Sequence, residues 1–547
     1  MTLFIRILYL GLAIVILSPD ILLSQQYKDK TISLKAKNLV AEMTLDEKIG
    51  QMTQVDHRYL EQKSDIKTYF LGSLLSGGGS APDTNNPRSW VRMYNEYQDF
   101  ALDTRLAIPL IYGIDAVHGH NNVYGATIFP HNIGLGCSND EELVQKISEA
   151  TAREILATGL DWTFAPCLAV SQDERWGRTF ESYSEDTEIV TRLGIASIKG
   201  YQGNNLNNSN SVLACAKHYV GDGSTIFGTG INGGIDRGDV LVDEKELRSK
   251  YIEPFRSAVE NGVGSIMISY NSWQSKRLHG HSYLINDILK KELGFSGFVV
   301  SDWAAIDDID EDYKTSIITA INAGIDMVMV PGEHSKKSHS YIEFINLLKK
   351  SVLEGSVSIN RIDDAVYRIL KIKYSMGLFE KPLKDYKKLK EVGSSRNREL
   401  AREGVNKSVV LLQNRNILPI SKNIKSILVA GEHGHDLGYQ CGGWSISWQG
   451  GSGNTTIGTT ILDGIRDNIG NHSSVSFSKN GDGANDHDII IAVVGETPYA
   501  EMKGDRESLE LSNKDKILIQ RLIKTEKPIV LILISGRPMI ITPYLEH

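Results

Sequence analysis

The chain has 547 residues, 41% of them hydrophobic and 23% charged, with a formal net charge of −8. One hydrophobic core stops growing at about 250 to 300 residues, so at least two domains are expected. Without an excess of basic side chains there is no broad positive field to hold a phosphate backbone, which argues against nucleic acid as a partner.

At the amino end, Arg6 precedes an apolar run over residues 7–17. A membrane span needs roughly 20 apolar residues, so residues 1–24 are read as a cleaved secretory signal. A secreted, periplasmic or extracellular protein with no membrane span after cleavage is therefore expected. Four cysteines, Cys137, Cys167, Cys215 and Cys441, are too few for a disulfide scaffold and lack metal-ligand spacing, so all four are expected as buried thiols. Sequons occur at Asn207, Asn406, Asn454 and Asn471 but decide nothing about function.

Residues 25–380 alternate short apolar runs with longer stretches of helical period, the pattern of βα units. Runs at 49–55, 69–75, 109–117, 162–170, 212–219, 265–270, 297–301 and 325–330 supply eight candidate strands, which suggests a (β/α)8 TIM-like barrel. Amphipathic helices are expected at 141–156, 243–260 and 341–352, whereas the gap after the first run is too short for a crossover helix. Residues 381–404 turn basic and are taken as an interdomain linker. From 405 to 547, apolar runs at 409–412, 427–429, 489–494 and 529–534 alternate with helical segments, so an α/β sandwich domain is expected there.

Polar residues gather just past the barrel runs: Asp115, Lys217, His218, Tyr270 and Asp302. In a barrel of this type the active site lies at the carboxyl ends of the strands. Asp302 beside Trp303 offers a carboxylate for a developing anomeric cation and a flat apolar surface for a sugar ring. A single Asp after a strand is also a common helix cap. Lys217, His218 and Arg178 could surround sugar hydroxyls with charged donors. Against that, Arg178 and Glu181 are spaced as a plain helix-surface pair, and a lone His without ligand-spaced partners is usually structural, not a metal ligand. After the 489–494 run, Glu496 and Glu501 each could lean over the barrel mouth and donate a proton, and the residues alone do not choose between them.

These motifs resemble glycoside hydrolase family 3, in particular the plant β-glucan exohydrolases and bacterial β-glucosidases. The resemblance rests on Tyr112-Gly113-Ile114-Asp115-Ala116-Val117-His118-Gly119, Arg175-Trp176-Gly177-Arg178, Lys217-His218-Tyr219-Val220-Gly221-Asp222-Gly223, Ser301-Asp302-Trp303, Gly442-Gly443-Trp444 and Pro498-Tyr499-Ala500-Glu501. It implies Asp302 as nucleophile and Glu501 as general acid/base, with Glu496 in support. It also places glucose-holding roles on Asp115, Arg178, Lys217, His218 and Tyr270, and a pair of indoles around the next sugar on Trp303 and Trp448. The implied activity is a retaining, exo-acting β-glucosidase or β-glucan glucohydrolase with carboxyls roughly 5 to 5.5 Å apart. Two acids and a water suffice, so neither a metal nor an organic cofactor is implied.

Several features depart from the family. Ala304 stands where the plant enzymes carry Glu, Ser171 and Thr179 stand where they carry cysteines, and family members continue beyond the strand near 529–535, so the second domain is expected to be incomplete with an unpaired sheet edge. The KHYVGDG sequence lacks the marks of the family's N-acetylglucosaminidases. A β-xylosidase, and a catalytically dead carbohydrate-binding protein, stay open as alternatives.

Overall fold

A computed structural model of the chain describes residues 19–332, 338–470 and 472–546, with side chains from residue 29 onward. Most of the expected signal segment, residues 1–18, and the sequon at Asn471 lie outside the described residues. A helix, Pro19–Glu42, runs into the first domain, and no described helix is long and apolar enough to cross a membrane.

All eight apolar runs of the first domain overlap a strand, β1 and β2 each ending one residue beyond the expected run: β1 (Thr53–Asp56), β2 (Ser73–Ser76), β3 (Ile111–Ile114), β4 (Trp162–Thr163), β5 (Cys215–Tyr219), β6 (Ser265–Ile268), β7 (Phe298–Val300) and β8 (Val328–Met329). Every residue of these strands is buried, the continuous apolar signature of parallel strands covered on both faces. Regular pairing gives two parallel arcs, β8-β1-β2-β3-β4 and β7-β6-β5. Single parallel bridges, Trp162 to Leu213, Cys167 to Lys217 and Val300 to Met327, join the arcs at both seams. One uninterrupted eight-stranded ladder is therefore not found. A single apolar core runs through strands and helices alike.

Only a 3-10 turn, His57–Tyr59, and a four-residue helix, Asp65–Thr68, separate β1 from β2, as the short spacing requires. Helices Glu141–Ala157 and Tyr341–Leu353 begin at Asp140 and Ser340, whose side chains accept the amides of Leu143 and Glu343. The expected 243–260 helix widens into a π segment at Leu247–Ile252 before continuing as Glu253–Glu260. The 381–404 segment is tied to the first domain: Asn397, in helix Ser395–Ser408, donates to Glu154 at 2.7 Å, and Lys384 pairs with the buried Asp161 at 2.9 Å.

The second domain carries a parallel sheet of β9 (Ser426–Ala430), β10 (Ser474–Ser478), β11 (Ile489–Gly495) and β12 (Ile529–Ile534) in the order β10-β9-β11-β12. Alternate residues face opposite sides: Leu428, Ile490 and Val494 pack on helix Asn513–Ile523, while Ile427, Val429 and Ile491 pack towards helix Ile461–Asn468. The expected α/β layering is thus present. Strand β12 pairs with β11 alone among the described residues, leaving an edge.

Two expectations fail. The run at 409–412 is no strand; Val409, Val410, Leu411 and Leu412 are all exposed and none joins a described sheet. Nor are all cysteines buried thiols: Cys167 and Cys215 are, but Cys137 is exposed and Cys441 only half-buried.

Candidate active site

Four strand ends of the first domain, those of β3, β5, β6 and β7, deliver side chains to one cluster. Asp302 follows β7; its Oδ1 accepts the Trp303 amide at 2.6 Å, so it does cap its own turn, while Oδ2 faces His218 Nε2 at 3.6 Å. His218, on β5, has Nδ1 2.7 Å from Asp222. Burial and the neighbouring Arg178 and Lys217 charges hold its pKa well below the usual imidazole value, so the approach to Asp302 is not an ion pair and Nδ1 donates to Asp222. Lys217, beside it, meets Asp115 at 3.3 Å across the barrel from the end of β3. Tyr270, past β6, is buried with the Arg237 guanidinium 3.6 Å above its ring centre.

Arg178 ties these groups together. Its Nε and one terminal nitrogen donate a fork to Glu181, both at 2.9 Å, and the same terminal nitrogen lies 3.2 Å from His218 Nε2. The Arg178 and Glu181 side chains are 7% and 3% exposed, which rules out a helix-surface pair. The second domain enters here: Glu501 Oε1 is 3.8 Å from Arg178 and its Oε2 3.4 Å from Arg237. Glu501 sits on a 3-10 turn, Glu501–Gly504, in the loop after β11. Glu496, at the start of that loop, is held by Arg506, Arg537, Tyr499 and Ser535 within its own domain. Geometry therefore separates the two glutamates that the sequence left equivalent.

Carboxylates outnumber cations in the cluster, and the consequences differ by position. Burial raises Asp115 to about 6 despite Lys217, and raises Asp302 despite Arg178, with Glu501 adding to the rise. Asp222 is pushed by burial to about 7. Glu181 moves the other way: burial is the largest single influence, but Arg178, Lys217 and the Trp444 hydrogen bond together outweigh it. Asp115, Asp302 and Glu501 keep 14% of their side-chain surface exposed, the three carboxylates that open towards the mouth.

At that mouth the two expected indoles flank the end of β2. A side chain at Gly77 would begin 3.2 Å from the Trp303 ring, and one at Gly78 2.7 Å from the Trp448 backbone. Only glycine lets this loop pass between them. Trp303 meets Tyr59 edge-on at 6.3 Å. Trp444 is not at the mouth but buried, with its indole N–H donating to Glu181 at 3.2 Å and Lys217 lying 5.8 Å over its ring.

The nine expected site residues thus lie in this cluster or along its rim. Sequence reasoning missed Arg237, Asp236 and Asp222, whose signal is faint because each acts through a neighbour and not as part of a recognisable substrate-binding pattern. Cys167, His218 and Asp222 also offer three buried ligand atoms within 4.8 Å, a grouping hidden by the distance between Cys167 and His218 in the chain. Of these, His218 Nδ1 and Asp222 Oδ2 lie 2.7 Å apart. Ser171 and Thr179 hydroxyls lie 3.3 Å apart, so a hydrogen bond occupies the place of the cysteine pair.

Comparison with known proteins agrees with this architecture. The family model "Glycosyl hydrolase family 3 N terminal domain" matches residues 44–372, and "Glycosyl hydrolase family 3 C-terminal domain" matches 409–547. A lysosomal beta glucosidase of Dictyostelium discoideum is 33% identical over 93% of this chain and 67% of its own length. A beta-xylosidase of Formosa agariphila is 32% identical over 95% of this chain and 69% of its own. The crystal structure of an exo-1,3/1,4-beta-glucanase from a Pseudoalteromonas species superposes with a TM-score of 0.87 at 39% identity, covering 94% of this chain and 65% of that one. The chain spans about two thirds of the length of these relatives.

Proposed function

This chain belongs to glycosyl hydrolase family 3, and from that premise we propose that it is a retaining β-glucosidase that removes glucose from the non-reducing ends of β-glucosides and β-glucan oligosaccharides. The observation that carries the proposal is the meeting of two slightly exposed carboxylates from different domains, Asp302 and Glu501, around one buried guanidinium, Arg178.

Asp302 attacks the anomeric carbon while Glu501 gives its proton to the glycosidic oxygen, and the leaving group departs as an alcohol. The sugar is then an ester of Asp302. In the second half, Glu501 takes a proton from water, the water oxygen bonds to the anomeric carbon, and the Asp302 carboxylate is released with retention of configuration. Lys217, Asp115, Arg178 and neutral His218 hold the hydroxyls of the terminal glucose, and Tyr270 supports its plane. Trp303 and Trp448 take the next sugar between their faces.

The test is aglycone release from an aryl β-D-glucopyranoside by the chain lacking residues 1–24, beside Asp302→Ala. Turnover in the parent that vanishes in the variant supports the proposal. A folded but inert parent refutes it. A β-xylosidase is the second reading, favoured by the relative of that name; kcat/KM for the aryl xyloside exceeding that for the glucoside would select it. Export belongs to the same proposal, supported by the apolar run at 7–17 behind Arg6. Recovery of protein starting near residue 25 outside the cytoplasm would bear it out.

A further inference from the structure

We propose that Asp505 is a positioning residue for the acid/base, a clamp that sets where Glu501 stands relative to the barrel; this rests on the reading of Glu501 given above. Asp505 ends the turn that Glu501 begins. Its carboxylate leaves its own domain: Oδ1 accepts the Gly177 amide at 2.8 Å, and Oδ2 accepts the amides of Ile235 and Asp236, both at 2.8 Å. Three backbone donors on one carboxylate make a strong, directional seat.

The seat is shaped by glycine. A side chain at Gly177 would begin 1.9 Å from the Glu501 carbonyl oxygen, and one at Gly234 would begin 2.3 Å from Asp505 Oδ2. The next residue continues the contact, with the Arg506 amide donating to the Arg175 carbonyl at 3.1 Å. Beyond the seat the path turns back on itself. Ile235 and Asp236 lead directly to Arg237, whose backbone is left-handed at φ 61° and whose guanidinium returns to Glu501 Oε2 at 3.4 Å. Asp236 is itself pinned by the Trp176 indole N–H at 3.0 Å. Asp505 thus fixes both the turn that carries the acid and the cation that touches it.

A general acid acts only within hydrogen-bond reach of the oxygen it protonates, so loosening the clamp affects reactions in proportion to their need for a proton. The experiment compares kcat/KM for laminaribiose, whose sugar leaving group needs the acid, with 2,4-dinitrophenyl β-D-glucopyranoside, whose leaving group does not. The variants are D505N, G177A and, as reference, E501Q. D505N and G177A are expected to lose about 10²-fold on the disaccharide and under about threefold on the dinitrophenyl glucoside, the penalty of a displacement near 1 Å. Equal losses on both substrates, or no loss on either, overturn the clamp while E501Q shows the contrast. If E501Q itself shows no contrast, the acid assignment fails and the clamp with it. Should D505N lose its near-UV circular dichroism, G177A, which removes no charge, decides by the same comparison.

Discussion

Replacing Arg178 with Met tests the electrostatic logic of the pocket most directly. Arg178 makes two 2.9 Å hydrogen bonds to Glu181, and both side chains are almost wholly buried. Met keeps much of the volume and removes the charge, leaving Glu181 with the Trp444 indole at 3.2 Å and no cation in the fork. Stranding one member of a buried pair costs about 3 to 5 kcal/mol. The sign with pH follows from Glu181. In the parent its pKa is lowered by Arg178, so the pair contributes stability above the ordinary carboxylate range and loses it as pH falls through the lowered value. In R178M burial is opposed only by the Lys217 charge and the Trp444 hydrogen bond, so Glu181 moves up from its parent value, and R178M gains stability relative to the parent as pH falls from 7 to 5. Adding E181Q removes the stranded charge, so R178M/E181Q recovers most of the loss at pH 7. Urea midpoints at pH 7 and pH 5, read by tryptophan fluorescence with the slope unchanged, measure all three. Aryl glucosidase kcat/KM stays down by about 10²-fold in the double variant, because the donors to His218 and Glu501 are still absent. A loss under about 1 kcal/mol for R178M, or a double variant no more stable than the single one, refutes the reasoning.

Three further outcomes are expected. Gly78→Ala, which must push Trp448 away from a 2.7 Å clash, raises KM for a glucan oligosaccharide about tenfold while aryl glucoside kcat stays within about twofold, as steady-state kinetics would show. Asp222→Asn separates from the parent with pH: Asp222 is raised from 3.8 to about 7, so the parent loses stability as pH rises through that window and the variant does not. The difference in urea stability moves towards D222N by about 3 to 4 kcal/mol between pH 4 and pH 8, and an unchanged difference counts against the burial argument. Ser171→Cys with Thr179→Cys, where the hydroxyls already lie 3.3 Å apart, forms a disulfide that adds about 2.5 kcal/mol under oxidising conditions, seen as a melting temperature that drops on adding reductant.

The barrel strands were legible because burial on both faces leaves a continuous apolar run, and their ends because charged residues there have nowhere to point but the mouth. The same signal misled at 409–412: composition marks Val-Val-Leu-Leu as core, but a strand needs a partner, and these side chains are exposed. Strand β10 went unseen for the opposite reason. Ser474–Ser478 lies at a sheet edge, where alternating serines satisfy a half-solvated face. Spacing suggested a surface pair for Arg178 and Glu181 because it carries no information about depth. The choice between Glu496 and Glu501 needed the structure too, since only the placement of Arg537 and Arg506 shows one glutamate committed to its own domain.

Backbone strain shows where the fold is most constrained. Around the pocket, Arg237, Ala304, Trp444, Ile446 and Glu501 all adopt left-handed backbone, with φ between 51° and 63°. For a residue with a side chain that conformation costs roughly 1 to 2 kcal/mol, a sum comparable to the stability of a whole domain. It must be offset locally, and the offsetting contacts cross between the domains. The Ile446 amide donates to the Asn121 carbonyl at 2.8 Å, Asn121 Nδ2 donates to the Trp444 carbonyl at 2.6 Å, and Asp505 collects its three barrel amides. At about 1 kcal/mol for each neutral bond and about 1.5 to 3 for each charged one, these contacts match the strain they accompany. The backbone shape that aims Glu501 is therefore a property of the docked pair of domains. A substitution that weakens docking at Asn121 should relax that shape and cost acid catalysis before it costs the fold of either domain.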